Sequence, residues 1–127
     1  MKQIRILLID DNQDFAFLMK SVIQLLGYNI ELAYDGAEGM EKAQEYRPDI
    51  ILCDIGLPRM NGYEFARNIR ENDLLRHSYL IALTGYARPC DIKQSTDSGF
   101  NRHLSKPIDA TTISEIISDY VTASEKN

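Results

Sequence analysis

Only two cysteines occur in the chain, and no metal-ligand spacing connects them. Cys53 lies inside an apolar run and Cys90 follows a proline. Long apolar runs are also missing: none approaches the roughly 20 residues that a membrane-spanning helix needs. Residues 1–5 lead directly into a short apolar run, and no small-residue cleavage site follows it. We therefore expect a reduced, cytoplasmic chain without a signal peptide.

The chain has no excess of positive charge. Lys and Arg number 14 against 19 Asp and Glu, a formal net charge of −5, which disfavours nucleic acid and anionic membranes as direct partners. Repeats, low-complexity tracts and linkers are absent from the sequence as well. A length of 127 residues suits one domain with a real core. We expect a single domain over 1–122, a frayed tail over 123–127 and no output domain.

Short apolar runs alternate with amphipathic stretches, a pattern typical of a parallel sheet covered by helices. The pattern predicts strands at 4–9, 30–34, 50–53, 79–83 and 101–104. It predicts helices at about 14–26, 37–46, 62–71, 89–98 and 110–121. The third strand is continuously apolar, as a central strand buried on both faces should be. The predicted fold is a doubly wound α/β domain of five strand–helix units.

Charged or hydroxyl side chains follow four of the five predicted strands. Asp10 and Asp11 follow the first strand, Asp54 the third, Thr84 the fourth and Lys106 the last. Right-handed crossovers bring the carboxyl ends of parallel strands to one edge of the sheet, where ligands bind in open α/β folds. We therefore expect these side chains to converge on one site.

Three carboxylates at one site repel one another unless a cation lies among them. Oxygen ligands with no His or Cys nearby select Mg²⁺ or Mn²⁺ over zinc. Mg²⁺ is commonly held by a few carboxylates together with a phosphate group, and Lys106 and Thr84 suit the oxygens of such a group. This chemistry makes Asp54 the candidate nucleophile, which would form an acyl phosphate.

Each of these features has a simpler explanation when it is considered alone. An Asp-Asp pair at a strand end is often a helix N-cap in a solvated turn. A Lys-Pro step is commonly a turn, and Asp54 would serve equally as a structural hydrogen-bond acceptor. The joint occurrence of these groups, each at the end of a predicted strand, is what favours a functional site.

With these residues the chain resembles the receiver domain of two-component response regulators over essentially its whole length. The matching elements are the acidic pair Asp10 and Asp11, Asp54 in DIGLPRMNG, Thr84 in IALTGYA, and Lys106 followed by Pro107. The intervals of 30 residues from Asp54 to Thr84 and 22 from Thr84 to Lys106 are similar to those of the family. The resemblance implies a flavodoxin-like sheet with strand order 2-1-3-4-5. Stand-alone receivers and receivers of hybrid histidine kinases remain alternatives.

The resemblance also implies the chemistry of the site. In the family, the residue matching Asp54 takes a phosphoryl group from a phosphohistidine on a sensor histidine kinase or a histidine phosphotransfer domain. The family pattern makes Asp11, Asp54 and the backbone carbonyl of Gly56 direct Mg²⁺ ligands, while Asp10 acts partly through water. The phosphorylated domain then acts on a downstream protein target, as a monomer or a weak dimer.

The resemblance further implies a switch. Lys106 neutralises the phosphate and Thr84 moves towards it, which in the family is coupled to an aromatic residue three positions before the lysine. This chain has His103 at that position, and a lone histidine is more often a surface or structural residue than a switch. Gly56 and Tyr86 occupy positions that tune phosphate lifetime, and the segment 86–89 is expected to carry partner choice.

Three other functions compete with an active receiver, which would catalyse its own aspartyl phosphorylation and slow autodephosphorylation. A phosphorylation-independent interaction module with a receiver fold is the main alternative, although such modules usually lose the acidic pair or the acceptor. Phosphohydrolases with an aspartate nucleophile carry a second Asp two residues beyond it, where this chain has Gly56. A flavodoxin is disfavoured because the acidic first loop would repel a flavin phosphate.

Overall fold

Strands and helices alternate along the chain in the computed structural model, which describes residues 3–85, 89–106 and 108–125. Within these ranges the elements are β1 (Arg5–Ile9), α1 (Gln13–Leu25), β2 (Asn29–Ala33), α2 (Gly36–Tyr46), β3 (Ile50–Asp54), α3 (Gly62–Glu71), β4 (Tyr79–Thr84), α4 (Pro89–Ser98), β5 (Arg102–Ser105) and α5 (Ala110–Glu125). The strands form one parallel sheet in the order β2-β1-β3-β4-β5. Both the predicted fold class and the implied strand order are confirmed.

The element boundaries agree with the predicted ones to within one residue, except at the end of the last helix. That helix was predicted to end at 121, but α5 continues to Glu125. Residues 123–125, predicted as a frayed tail, are therefore helical, because the segment after Val121 contains no glycine or proline to stop the helix. No helix in the described ranges is long and apolar enough to cross a membrane.

Side chains of successive strand residues point to opposite faces of the sheet, and each face carries its own core. Leu7 and Ile9 of β1 pack in the cluster beneath α2 and α3, whereas Ile6 and Leu8 pack in the cluster beneath α1 and α5. The central strand β3 lies between β1 and β4, and the first four of its five residues are buried. This confirms the prediction made from its continuous apolar run.

Gly62 begins α3 where the helix passes close to the end of β3. A Cβ atom at this position would lie 2.7 Å from Ile55 Cα and 2.8 Å from the carbonyl oxygen of Asp54. Both are backbone atoms, so neither can rotate away as a side chain does. The Gly62 N–H also donates to the Ile55 carbonyl at 3.0 Å. The absence of a side chain at Gly62 therefore allows α3 to pack against the backbone of Asp54.

We expect Gly62→Ala to lower the free energy of unfolding by about 1–3 kcal/mol, because the methyl group forces close-packed backbone atoms apart. Alanine is otherwise the better helix former, so helix propensity alone predicts the opposite sign. Urea denaturation followed by circular dichroism measures the change. Gly85→Ala is the control, since a Cβ there meets no atom of the described residues within 4 Å, its chain neighbours aside. An unchanged or higher midpoint for Gly62→Ala would contradict this account of the packing.

Candidate functional site

The carboxyl ends of β1 and β3 bring Asp10, Asp11 and Asp54 together. The two strands are direct neighbours, with Ile9 paired to Cys53, so the residues that follow them lie side by side. Each aspartate offers one carboxylate oxygen, and these oxygens lie within 4.8 Å of one another. Asp10 is fully buried, Asp54 is half-buried and Asp11 is exposed.

Asn12 caps α1, and neither aspartate of the acidic pair does so. Its side-chain oxygen Oδ1 accepts a hydrogen bond from the Phe15 N–H at 3.0 Å. Its own backbone N–H donates to Asp10 Oδ1 at 2.9 Å. The alternative explanation of the acidic pair as the N-cap of the first helix is therefore wrong. The carboxylates of Asp10 and Asp11 belong to the acidic cluster instead.

Lys106 brings a positive charge to this cluster from the segment after β5. Its Nζ atom lies 2.6 Å from Asp10 Oδ2 and 3.6 Å from Asp54 Oδ2. The Lys106 backbone N–H donates to the Thr84 carbonyl at 2.8 Å, which ties the ends of β4 and β5 together. A buried carboxylate needs a charged or hydrogen-bonding partner for each oxygen. Lys106 and the Asn12 N–H supply both partners for Asp10.

The Asp54 carboxylate is held between one donor and one cation. Its Oδ1 accepts a hydrogen bond from the Gly56 N–H at 3.1 Å, and its Oδ2 faces Lys106. Burial raises the pKa of the Asp54 carboxyl above its ordinary value, and the charges of Asp10 and Asp11 raise it further, while the Gly56 N–H and Lys106 act in the opposite direction. The ionised form of Asp54 is therefore destabilised in the folded protein, and an added cation would stabilise it.

Thr84 and His103 lie on neighbouring strands but have different surroundings. Thr84 is the last residue of β4, is buried, and pairs in register with Ser105 of β5. His103 is half-buried on β5, and its Nδ1 lies 3.0 Å from Ser95 Oγ of α4. The ring therefore bonds β5 to the helix beside it. The switch role of His103 stays a prediction.

Some residues named from the sequence cannot be placed in the site. Tyr86, Ala87, Arg88 and Pro107 lie outside the described residues. Gly56 lies beside Asp54 through its N–H, and the proposed ligand role of its carbonyl stays a prediction.

Phe15 borders the site, which the sequence pattern does not predict. The Phe15 ring centroid lies 4.5 Å from Lys106 Nζ. In the sequence Phe15 belongs to the apolar periodicity of the first helix, which marks it as a core residue. Its position one turn after the acidic pair is the only signal that it borders the site.

The donor set of the acidic cluster suits a hard divalent cation. Its three members offer only carboxylate oxygens, which Mg²⁺ prefers. The thiol of Cys53, the residue before Asp54, is a softer group, but it is buried; burial raises its pKa well above the ordinary value and keeps it protonated. His103 is turned towards Ser95. These residues therefore fit Mg²⁺ better than zinc.

Comparisons with known proteins identify similar chains over most of this sequence. A family model described as the response regulator receiver domain matches residues 6–118. The polar-differentiation response regulator DivK of Brucella anthropi is 33% identical over 116 residues, which cover 91% of this chain and 94% of that protein. The structure of the chemotaxis protein CheY4 of Vibrio cholerae superposes with a TM-score of 0.89 at 27% identity, covering 94% of this chain and 99% of that one. A CheY-like receiver domain protein from Methanospirillum hungatei gives a TM-score of 0.89 at 28% identity, with 98% of each chain covered.

We expect Asp54→Asn to raise the free energy of unfolding at pH 7 without Mg²⁺, because a neutral amide is not repelled by the other two carboxylates. The pKa of Asp54 is raised in the folded state, so the folded protein binds this proton more tightly than the unfolded chain does. The advantage of the variant should therefore shrink as the pH falls through the folded-state pKa and vanish below the unfolded-state pKa. Urea denaturation over a pH series measures it, and exposed Asp73 supplies the control variant Asp73→Asn. A less stable Asp54→Asn at neutral pH would contradict this.

Proposed function

Since the chain belongs to the receiver-domain family of two-component response regulators, we propose that it is a phospho-accepting receiver of a phosphorelay. Receiver domains of this family take phosphoryl groups from histidine kinases and act on downstream targets. In this chain Asp54 accepts the group from a phosphohistidine of a kinase or a phosphotransfer domain. The observation that supports this most directly is the placement of Lys106 Nζ, 2.6 Å from Asp10 and 3.6 Å from Asp54.

Asp54 is the nucleophile of the proposed transfer. A carboxylate oxygen forms a bond to phosphorus while the phosphorus–nitrogen bond to the donor histidine breaks, and the electron pair of that bond stays on the imidazole nitrogen. The Gly56 N–H holds Oδ1 of Asp54 at 3.1 Å. Oδ2, which lies outside that bond, is the oxygen that attacks. The product is an acyl phosphate on Asp54.

Lys106 and Thr84 stabilise the charge that the phosphoryl group brings. The Lys106 ammonium is a point charge on a flexible stem, so it can turn from the Asp10 carboxylate to a phosphoryl oxygen. The Thr84 hydroxyl donates a hydrogen bond to another phosphoryl oxygen. Because the Thr84 carbonyl accepts the Lys106 backbone N–H at 2.8 Å, a shift of one strand end displaces the other.

This displacement gives the proposed route to a target. His103 lies on β5, and its bond to Ser95 connects β5 to α4. A movement at the ends of β4 and β5 therefore reaches α4, which presents a face for a downstream protein. Phosphorylation acts in this scheme as one new charge that biases two arrangements of a surface.

Mg²⁺ is the proposed cofactor of the site. In this proposal Asp11, Asp54 and the Gly56 carbonyl would hold the ion directly. Asp10 would act partly through water, because its two oxygens are already hydrogen-bonded to Lys106 and to the Asn12 N–H. When bound, Mg²⁺ offsets the mutual repulsion of the carboxylates and of the incoming phosphoryl oxygens.

We expect intact mass spectrometry to detect one phosphoryl adduct after incubation with acetyl phosphate and Mg²⁺, and none when Mg²⁺ is chelated. Asp54→Asn should abolish the adduct while circular dichroism shows a retained fold. Asp73→Asn is the matched control and should be labelled like the wild type. An adduct on Asp54→Asn would disprove the assigned nucleophile. No adduct from either acetyl phosphate or phosphoramidate would favour a phosphorylation-independent interaction module.

We expect Lys106→Ala to destabilise the metal-free protein by on the order of 3 kcal/mol, because Asp10 loses the charge that pairs with it in the interior. Mg²⁺ affinity, measured by isothermal titration calorimetry, should stay within about threefold of the wild-type value, since Lys106 is not a ligand. Phosphorylation should no longer shift the NMR signals of Ser95 and His103. Loss of Mg²⁺ binding in Lys106→Ala would overturn the role given to this residue.

A further inference from the structure

The aromatic ring of Phe15 covers one side of the Lys106 ammonium group. The ring centroid lies 4.5 Å from Nζ, inside the distance of about 6 Å at which an aromatic face attracts a cation. The Lys106 side chain is 25% exposed, and such contacts strengthen when water is partly excluded. Phe15 is itself half-buried and packs against the core between the sheet, α1 and α5.

The loop between β1 and α1 places the ring and the Asp10 carboxylate together. The Phe15 N–H donates to the side chain of Asn12 at 3.0 Å. The Asn12 N–H donates in turn to Asp10 Oδ1 at 2.9 Å. Two of the groups that contact Lys106 are therefore set by one short, hydrogen-bonded segment, and they keep their spacing if the segment shifts as a unit.

An aromatic face suits this position better than a further hydrogen-bond acceptor would. Lys106 has a strongly hydrated ammonium on a stem with many rotamers, so it needs contacts that keep it at the site. A third carboxylate close to Nζ would hold the ammonium tightly and compete with the phosphoryl oxygens for it. The ring attracts the charge through its quadrupole but takes up none of the ammonium N–H groups.

We propose that Phe15 is a positioning residue for Lys106, whose ammonium it holds at the mouth of the acidic site through a cation–π contact. The inference rests on the proposed function, in which Lys106 meets the incoming phosphoryl group. Phe15 does not contact the reacting atoms in this scheme. It acts by keeping Nζ close to Asp10 and Asp54 before the transfer.

A fluorinated series separates this role from ordinary packing. Replacing Phe15 with 4-fluoro-, 3,5-difluoro- and 3,4,5-trifluorophenylalanine keeps the shape of the ring and weakens its negative face step by step. The rate of Asp54 phosphorylation by acetyl phosphate should fall with each fluorine, by about 3- to 10-fold in total. The midpoint of urea unfolding should not follow this order, because the apolar volume is nearly unchanged.

Phe17 provides the matched control on the same helix. It is 68% exposed, so the same fluorinated residues at position 17 should leave the phosphorylation rate unchanged. In a Lys106→Ala background, fluorination of Phe15 should also have no effect, because the cation is gone. Rates that stay flat across the Phe15 series, or that fall equally in the Lys106→Ala background, would overturn the proposal.

A measurement without phosphate distinguishes failure of this inference from failure of the proposed function. In the wild type, the ring current of Phe15 should shift the Cε proton signals of Lys106 in NMR spectra, and Phe15→Leu should remove that shift. If the wild type accepts no phosphoryl group, the proposed function fails and the ring-current shift alone decides the contact. If Phe15→Leu leaves the Lys106 signals in place, the contact is absent and the inference fails, whatever the phosphorylation result.

Discussion

Three carboxylates held within 4.8 Å of one another are the constraint on which the site depends. Their mutual repulsion is aggravated by burial, since Asp10 is excluded from water entirely. Lys106 offsets part of it by pairing with Asp10 at 2.6 Å. One ammonium against three carboxylates still leaves an excess of negative charge. Burial is the main cause of the raised pKa of Asp54, and the charges of Asp10 and Asp11 raise it further. A divalent cation is the chemical partner that such an excess of negative charge suits.

The strand order turns this constraint into a usable geometry. Because β1 lies beside β3, the acidic pair and Asp54 are neighbours, and because β4 lies beside β5, Thr84 and Lys106 are neighbours as well. The hydrogen bond from the Lys106 backbone N–H to the Thr84 carbonyl links the ends of β4 and β5. Because Gly62 has no side chain, α3 packs against the backbone of Asp54. The side chains of the candidate site thus lie at strand ends or directly after them.

A hydrogen bond between His103 of β5 and Ser95 of α4 joins the strand to the helix. His103 is at the position where the family pattern has an aromatic side chain. Ser95 Oγ is buried and lies 3.0 Å from both the Asp91 carbonyl and His103 Nδ1. The Ser95 hydroxyl has one proton and donates it to one of these two partners at a time. The Asp91 carbonyl can only accept a hydrogen bond. When the proton goes to Asp91, His103 must donate through Nδ1. The strand and the helix are joined by a hydrogen bond whose direction follows the state of the histidine ring.

Local patterns in the sequence determined the alternation of strands and helices, because apolar periodicity and helix-breaking residues act within a few positions. These patterns also located the polar side chains at the strand ends, because each of them follows a strand that the apolar runs predict. The end of α5 was not predicted correctly, because the segment after Val121 has neither apolar periodicity nor a helix-breaking residue. Only the tertiary structure decided the contacts: that Asn12 caps α1, that Asp10 takes the short bond to Lys106, and that Phe15 covers the ammonium. Asp10 and Lys106 are 96 positions apart, so their pairing depends on strand register and side-chain rotamers, which no local pattern encodes.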